Sequence, residues 1–106
     1  MNPNEITLVT YLYQKDADGY ETKTPAYLAC IGYKKSVRQT EFYAAMKEGI
    51  KPAAVLEVYA AEYELATIGE QEPEEVLMDE VRYRIVRTYQ TDVDRMELTL
   101  EKELHR

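Results

Sequence analysis

The chain has 106 residues, a formal net charge of −7, 45% apolar residues, ten tyrosines among its eleven aromatics and one cysteine. That length suits one domain, spanning 1–106, with a modest core. A single cysteine excludes an intrachain disulfide framework, and the acidic balance argues against a surface that binds nucleic acid or anionic membrane throughout.

No apolar run approaches the ~20 residues that cross a bilayer. The opening Met1-Asn2-Pro3-Asn4 lacks the charged start and apolar core of a signal peptide. A soluble protein of the cytoplasm is expected, unless an assembly carries it elsewhere. Tyrosine serves half-buried surfaces, where the ring packs and the hydroxyl stays wet.

Residues 5–14 read as a first strand. Ile6, Leu8 and Leu12 share one side, and Thr7, Val9, Tyr11 and Tyr13 the other, so both faces are partly apolar. Lys15-Asp16-Ala17-Asp18-Gly19 is a hairpin turn with Asp-Gly as its signal. Asp16, Asp18 and Gly19 echo part of a calcium loop. A full loop would need a ligand at Gln14 and its closing Glu at Pro25, so the turn reading is kept.

Residues 20–33 form a second strand, bent or broken at Pro25. Its half Ala26-Tyr27-Leu28-Ala29-Cys30-Ile31 is the most apolar stretch of the chain and is expected at the centre of the sheet. With no histidine nearby in sequence, Cys30 reads as a structural thiol rather than a nucleophile.

Residues 36–52 are the only segment that reads as a helix. Ser36 and Gln39 make a capping-box pair, with Thr40 a rival cap. Phe42, Ala45 and Met46 fall on one apolar face, expected to pack on the strands or on another subunit, and Gly49 and Pro52 end the helix. From 34 to 51, five cations (Lys34, Lys35, Arg38, Lys47, Lys51) face two acids (Glu41, Glu48), a local charge of +3 in an acidic host.

Residues 53–65 are predicted as a third strand with a bulge at Ala60-Ala61; a continuous helix is the alternative, since Ala and Glu favour it. From 64 to 80 there are seven acids and no cation. Glu70, Glu72, Glu74 and Glu75 are a candidate acidic contact patch, against the plainer reading of a solvated loop.

Glu75-Val76-Leu77-Met78 is a short strand and Asp79-Glu80 a turn. In the strand 81–89, Val81, Tyr83 and Ile85 oppose Arg82, Arg84 and Val86. Residues 96–103 alternate most cleanly, with Met96, Leu98 and Leu100 inward. The whole is mainly β: a small antiparallel β-barrel or sandwich of five to six strands, with one short helix in a central insertion at 34–52.

An active site is not expected. The only histidine is His105, the glycines are isolated, and no Cys/His set could hold zinc. No cofactor or metal is expected either. Two binding readings remain on physics alone. One is an oligonucleotide-binding barrel, with tyrosines stacking on bases and a groove of Lys34, Lys35, Arg38, Arg82, Arg84 and Arg87. The other is a general protein-interaction or structural module whose basic insertion reaches an acidic surface.

A set of motifs in fixed order carries a resemblance. They are Ser36, Glu41-Phe42-Tyr43, Gly49-Ile50-Lys51-Pro52, Glu62-Tyr63, Tyr83-Arg84-Ile85-Val86-Arg87-Thr88-Tyr89 and Met96-Glu97-Leu98. Over about 6–101 the chain resembles the head-tail joining proteins of tailed phages and prophages, also called head closure or stopper proteins.

The resemblance implies a small barrel that forms a ring, of six or twelve copies, beneath the portal and adaptor proteins of a filled head. There it closes the DNA channel and docks the tail proteins, with DNA only passing through. It places the protein in the host cytoplasm during assembly and then in the virion. By order along the chain, the segment that meets the channel or a neighbouring subunit is the insertion, with Lys34, Lys35, Arg38, Glu41, Phe42, Tyr43, Lys47 and Lys51. Two departures bear on loop shape: a longer approach through Gly32-Tyr33-Lys34-Lys35, and Asp79-Glu80 where a glycine turn is common.

Overall fold

The computed structural model describes residues 3–35, 46–47, 49 and 52–103. Six strands, β1 (Pro3–Lys15), β2 (Glu21–Lys35), β3 (Ala54–Tyr59), β4 (Glu75–Met78), β5 (Val81–Asp92) and β6 (Arg95–Lys102), close into an antiparallel barrel in the order β1-β2-β3-β6-β5-β4. A helix α1 (Ala60–Ala66) follows β3. The barrel interior takes one residue in two from each strand. Leu8, Leu56, Val58, Val76, Leu98 and Leu100 are fully buried there, with Ile6 and Met78 beside them.

The alternation read from β1, β5 and β6 is the one that builds this core, and in β4 Val76 and Met78 face inward. β5 carries register shifts between Ile85 and Arg87 and between Gln90 and Asp92 in its pairing with β6. The Asp16 side chain accepts backbone N–H groups from Asp18 (3.0 Å) and Tyr20 (2.8 Å). This is the ordinary work of an aspartate in a turn.

Three expectations need correction. First, the predicted strand 53–65 divides. β3 stops at Tyr59, opposite Arg95, where β6 begins and no further ladder partner exists. Past that point the good helix formers take over: Ala60 donates its N–H to the Asp94 carbonyl at 2.8 Å, and Tyr63 and Ala66, three apart, bury into the barrel end. The slip at Ala60-Ala61 is therefore a helix start, not a bulge, and the insertion is not the only helical segment.

Second, β2 is not broken at Pro25, which pairs with Tyr11 within a continuous strand. Third, the apolar run Ala26–Ile31 is not central. Among the described residues β3 pairs with β2 only from Gly32 to Lys35, so within the described sheet Glu21–Ile31 is paired on its β1 side alone, with Glu62 of α1 beside Ala29, Cys30 and Ile31. The missing N–H of Pro25 falls on that open side and costs no ladder bond. Gly32 is required where it stands: an added Cβ would lie 2.9 Å from Leu56 Cγ and 3.0 Å from Ile6 Cδ1.

The topology gives the barrel two unlike ends. At one, the chain leaves β2 at Lys35 and returns into β3 at Ala54, next to the β4–β5 turn at Asp79-Glu80. At the other, α1 and the loop 67–74 cross from β3 to β4. Of the predicted helix 36–52, only Met46, Lys47, Gly49 and Pro52 are among the described residues. Met46 and Lys47 are helical, and Gly49, at φ +81, donates its N–H to the Met46 carbonyl at 3.0 Å. Met46, expected on the packed face, is about half exposed.

Candidate functional site

The predicted contact residues fall at both ends. Arg38, Glu41, Phe42, Tyr43 and Lys51 lie outside the described residues. Lys34 and Lys35 mark the barrel end from which the insertion springs. Lys34 meets Asp79 at 3.7 Å, and Lys35 meets Glu97 at 2.8 Å and Glu57 at 3.6 Å. Lys47 is exposed.

The acidic patch sits at the opposite end, in and after the loop that follows α1, but it is smaller than the sequence suggests. Glu70 is exposed. Glu72 accepts the Tyr63 hydroxyl at 2.9 Å, and Glu74 accepts the Tyr13 hydroxyl at 2.8 and 3.0 Å. Glu75 is only 8% exposed and is consumed inside the protein. It belongs to the seam described next, not to a contact surface.

That seam is where β4 joins β1 to β5. The Glu75 carboxylate accepts the Tyr11 hydroxyl and, at 2.5 Å, the Arg82 guanidinium. Arg82 also donates to the Tyr11 hydroxyl at 2.9 Å. Glu103, whose backbone N–H reaches the Arg82 carbonyl at 3.3 Å, places its carboxyl against that of Glu75.

Two carboxyls in contact divide their acidities. Hydrogen bonding to Glu75, then burial, lift Glu103 to about 6. Burial pushes Glu75 upward too, but hydrogen bonds from Glu103, Tyr11 and Arg82 outweigh it and hold Glu75 below its ordinary value. Burial, with Glu75 beside it, pushes Tyr11 to about 12. An outward cleft of about 600 Å³ opens beside the seam, lined by Tyr11, Lys23, Glu74, Arg84 and Glu103 among others.

A second polar cluster covers the outer face of β2, β3 and β6. Lys35, Glu57, Arg95 and Glu97 alternate in charge, with Arg95 at 3.1 Å from Glu57. The Arg95 guanidinium lies 4.3 Å from the Tyr59 ring centre, and Tyr59 meets Tyr33 edge-to-face. The cationic groove considered for nucleic acid does not form from the described residues: Lys34, Lys35, Arg82 and Arg84 each answer their own carboxylate.

A third feature was not anticipated from the sequence. Between β1, β2 and α1, beside the small Ala29, lies a notch of about 580 Å³. It is lined by Glu5, Ile6, Thr7, Ala29, Cys30, Ile31 and Glu62. Tyr27 (59% exposed) and Ile31 (37%) stand on the same outer face. The Cys30 thiol faces the interior, and burial, with Glu62 nearby, raises it to about 11, so it is an inert thiol. The apolar run was legible in the sequence; that β3 is too short to cover it was not.

No helix among the described residues is long and apolar enough to cross a membrane. Among the described residues no cluster of three or more His, Cys, Asp or Glu is arranged to hold a metal ion. No known family matches the chain, and no characterised protein matches it in sequence.

Proposed function

We propose that the protein is a structural virion component. It would assemble as a ring at the head-tail junction of a tailed phage or prophage particle, close the portal channel after DNA packaging and receive the tail. The reading rests on the ordered motif set from Ser36 to Leu98, and on one observation above the rest. The barrel sends its basic insertion from one end and carries the acidic loop at the other. A ring subunit needs two unlike, complementary surfaces, since head-to-tail contacts with a suitable rotation close on themselves. Net negative charge also suits a DNA conduit, because a basic lumen would hold DNA through counterion release and slow its exit.

The test is reversal of the insertion's charge. The double variant Lys47→Glu, Lys51→Glu is expected to assemble poorly on portal complexes, with the barrel intact by circular dichroism. Unchanged ring assembly on the portal would remove the pairing of insertion and acidic loop.

A further inference from the structure

The outer face of the seam sets three carboxyls, Glu75, Glu101 and Glu103, around two guanidiniums, Arg82 and Arg84. In the β5–β6 ladder Arg84 stands opposite Glu101 and meets it at 3.4 Å. Arg82 meets Glu75 at 2.5 Å and the Tyr11 hydroxyl at 2.9 Å. Glu103 continues β6 past its last ladder pair, Tyr83 with Lys102, and its backbone N–H reaches the Arg82 carbonyl. Both guanidiniums already hold a carboxylate, so the Glu103 carboxyl turns to that of Glu75. Two carboxyls can hydrogen-bond only while one of them carries a proton.

A third cation faces the same cleft. Lys23, from β2, lies over the Tyr11 ring at 4.0 Å and lines the cleft with Glu103. Its charge favours the ionised form of Glu103. Tyr11 joins the two arrangements, since its hydroxyl touches Glu75 and its ring carries Lys23. Of the other charged groups around the cleft, Glu72 and Glu74 accept the hydroxyls of Tyr63 and Tyr13, Arg84 holds Glu101, and Arg87 stands farther along β5.

We propose that Glu103 is a two-position latch: protonated, it donates to the Glu75 carboxylate, and ionised, it turns from Glu75 to the Lys23 ammonium in the cleft. The change releases one proton to water, breaks the carboxyl–carboxyl hydrogen bond and forms an ion pair in its place. It moves the tie made by the end of β6 from β4 to β2. Arg82 stays charged throughout, and Tyr11, pushed up to about 12, keeps its proton in the neutral range. The group that changes there is Glu103, near 6.

The latch and the ring assembly use different residues, so either can fail while the other stands.

NMR titration of the free protein reads both positions. The Glu103 carboxyl carbon is expected to titrate near 6, with the Lys23 Hε signals shifting at the same midpoint. The nuclear Overhauser contact from Lys23 Hε to Glu103 Hγ should strengthen as pH climbs through that midpoint, while the contact from Lys23 to the Tyr11 ring weakens. Lys23→Met, an exposed substitution, removes the second position and should raise the Glu103 midpoint by roughly 0.5 pH unit, the size of an exposed ion pair. Lys23→Arg should restore it. Glu103→Gln should abolish the Lys23 shift. A Glu103 that titrates at the ordinary carboxyl value overturns the proposal. So does a Lys23 whose contacts stay unchanged across the titration, or a Glu103 midpoint that Lys23→Met leaves in place.

Discussion

The barrel carries two clusters built from the same residue types, and they behave differently. On one side Tyr11, Glu75, Arg82 and Glu103 tie β1, β4, β5 and the end of β6. On the other, Lys35, Glu57, Arg95 and Glu97 zigzag across β2, β3 and β6 over Tyr33 and Tyr59. The first is centred on a carboxylate withdrawn from water, with every contact closing the four-residue strand that completes the barrel. The second has a carboxylate nearly as sheltered, Glu57 with 13% of its side chain exposed against 10% for Glu75, but it lies on strands already held by their own ladders. Removing one partner from a sheltered pair leaves a charge without solvent, and at Glu75 that charge lies under the short strand whose pairing closes the barrel. Placement, not the number of ion pairs, decides how much each cluster matters.

Glu75→Gln gives the largest expected effect. It takes the charge from beneath Arg82 and Tyr11 and should cost about 2–3 kcal/mol in a denaturant titration, at the low end for a buried pair because Arg82 is partly exposed. A loss no greater than that of Glu57→Gln would erase the distinction between the clusters.

The pH dependence sharpens it. Glu103 has a raised folded pKa, so its contribution is complete below the ordinary carboxyl value of 4.5 and is lost as pH climbs through about 6. Glu75 is lowered, so its contribution is present above 4.5 and disappears as pH falls below that. The seam should be tightest between about 4.5 and 6, with Tm declining from there toward neutrality; Glu103→Gln should flatten that decline. A wild-type Tm that rises between pH 5 and 7, with the variant following it, would contradict the shared-proton arrangement.

A smaller effect concerns the turn that leads out of β4. Asp79 and Glu80 both have positive φ, 53° and 64°, the backbone of a two-residue hairpin turn that favours glycine. Glu80→Gly is expected to stabilise by about 0.5–1 kcal/mol, read as a higher denaturation midpoint. No gain would mean that the turn relaxes at no cost. The smallest effect is that of Arg84→Gln, at a residue that meets Glu101 at the surface: about 0.5 kcal/mol or less in low salt, vanishing in molar salt as screening removes it.

The fold was legible where periodicity had only one solution. Met96, Leu98 and Leu100 could face one way only, and Leu98 and Leu100 are fully buried. The helix α1 was obscured because Tyr63 and Val58 favour strands, while its cause is the point at which β6 stops providing a partner, a fact of topology. The position of Ala26–Ile31 failed for a related reason. Apolar residues mark a strand, but whether its second edge is covered depends on the length of β3, and 36–53 lies between them.

The candidate site was half legible. The alternation of Arg82 and Arg84 with inward residues placed both on the outer face, where each meets a carboxylate of a neighbouring strand. That Glu75 is buried could not be told from Glu74 beside it, because the two differ only in which way the strand turns them.

The central claim is tested most directly by adding the purified protein to tail-less, DNA-filled heads of its own phage or prophage, then sedimenting the heads and treating them with nuclease. The account predicts that the protein sediments with the heads and that their DNA stays protected. Failure to bind heads, together with salt-dependent binding to free single-stranded DNA, would contradict it and favour an oligonucleotide-binding barrel.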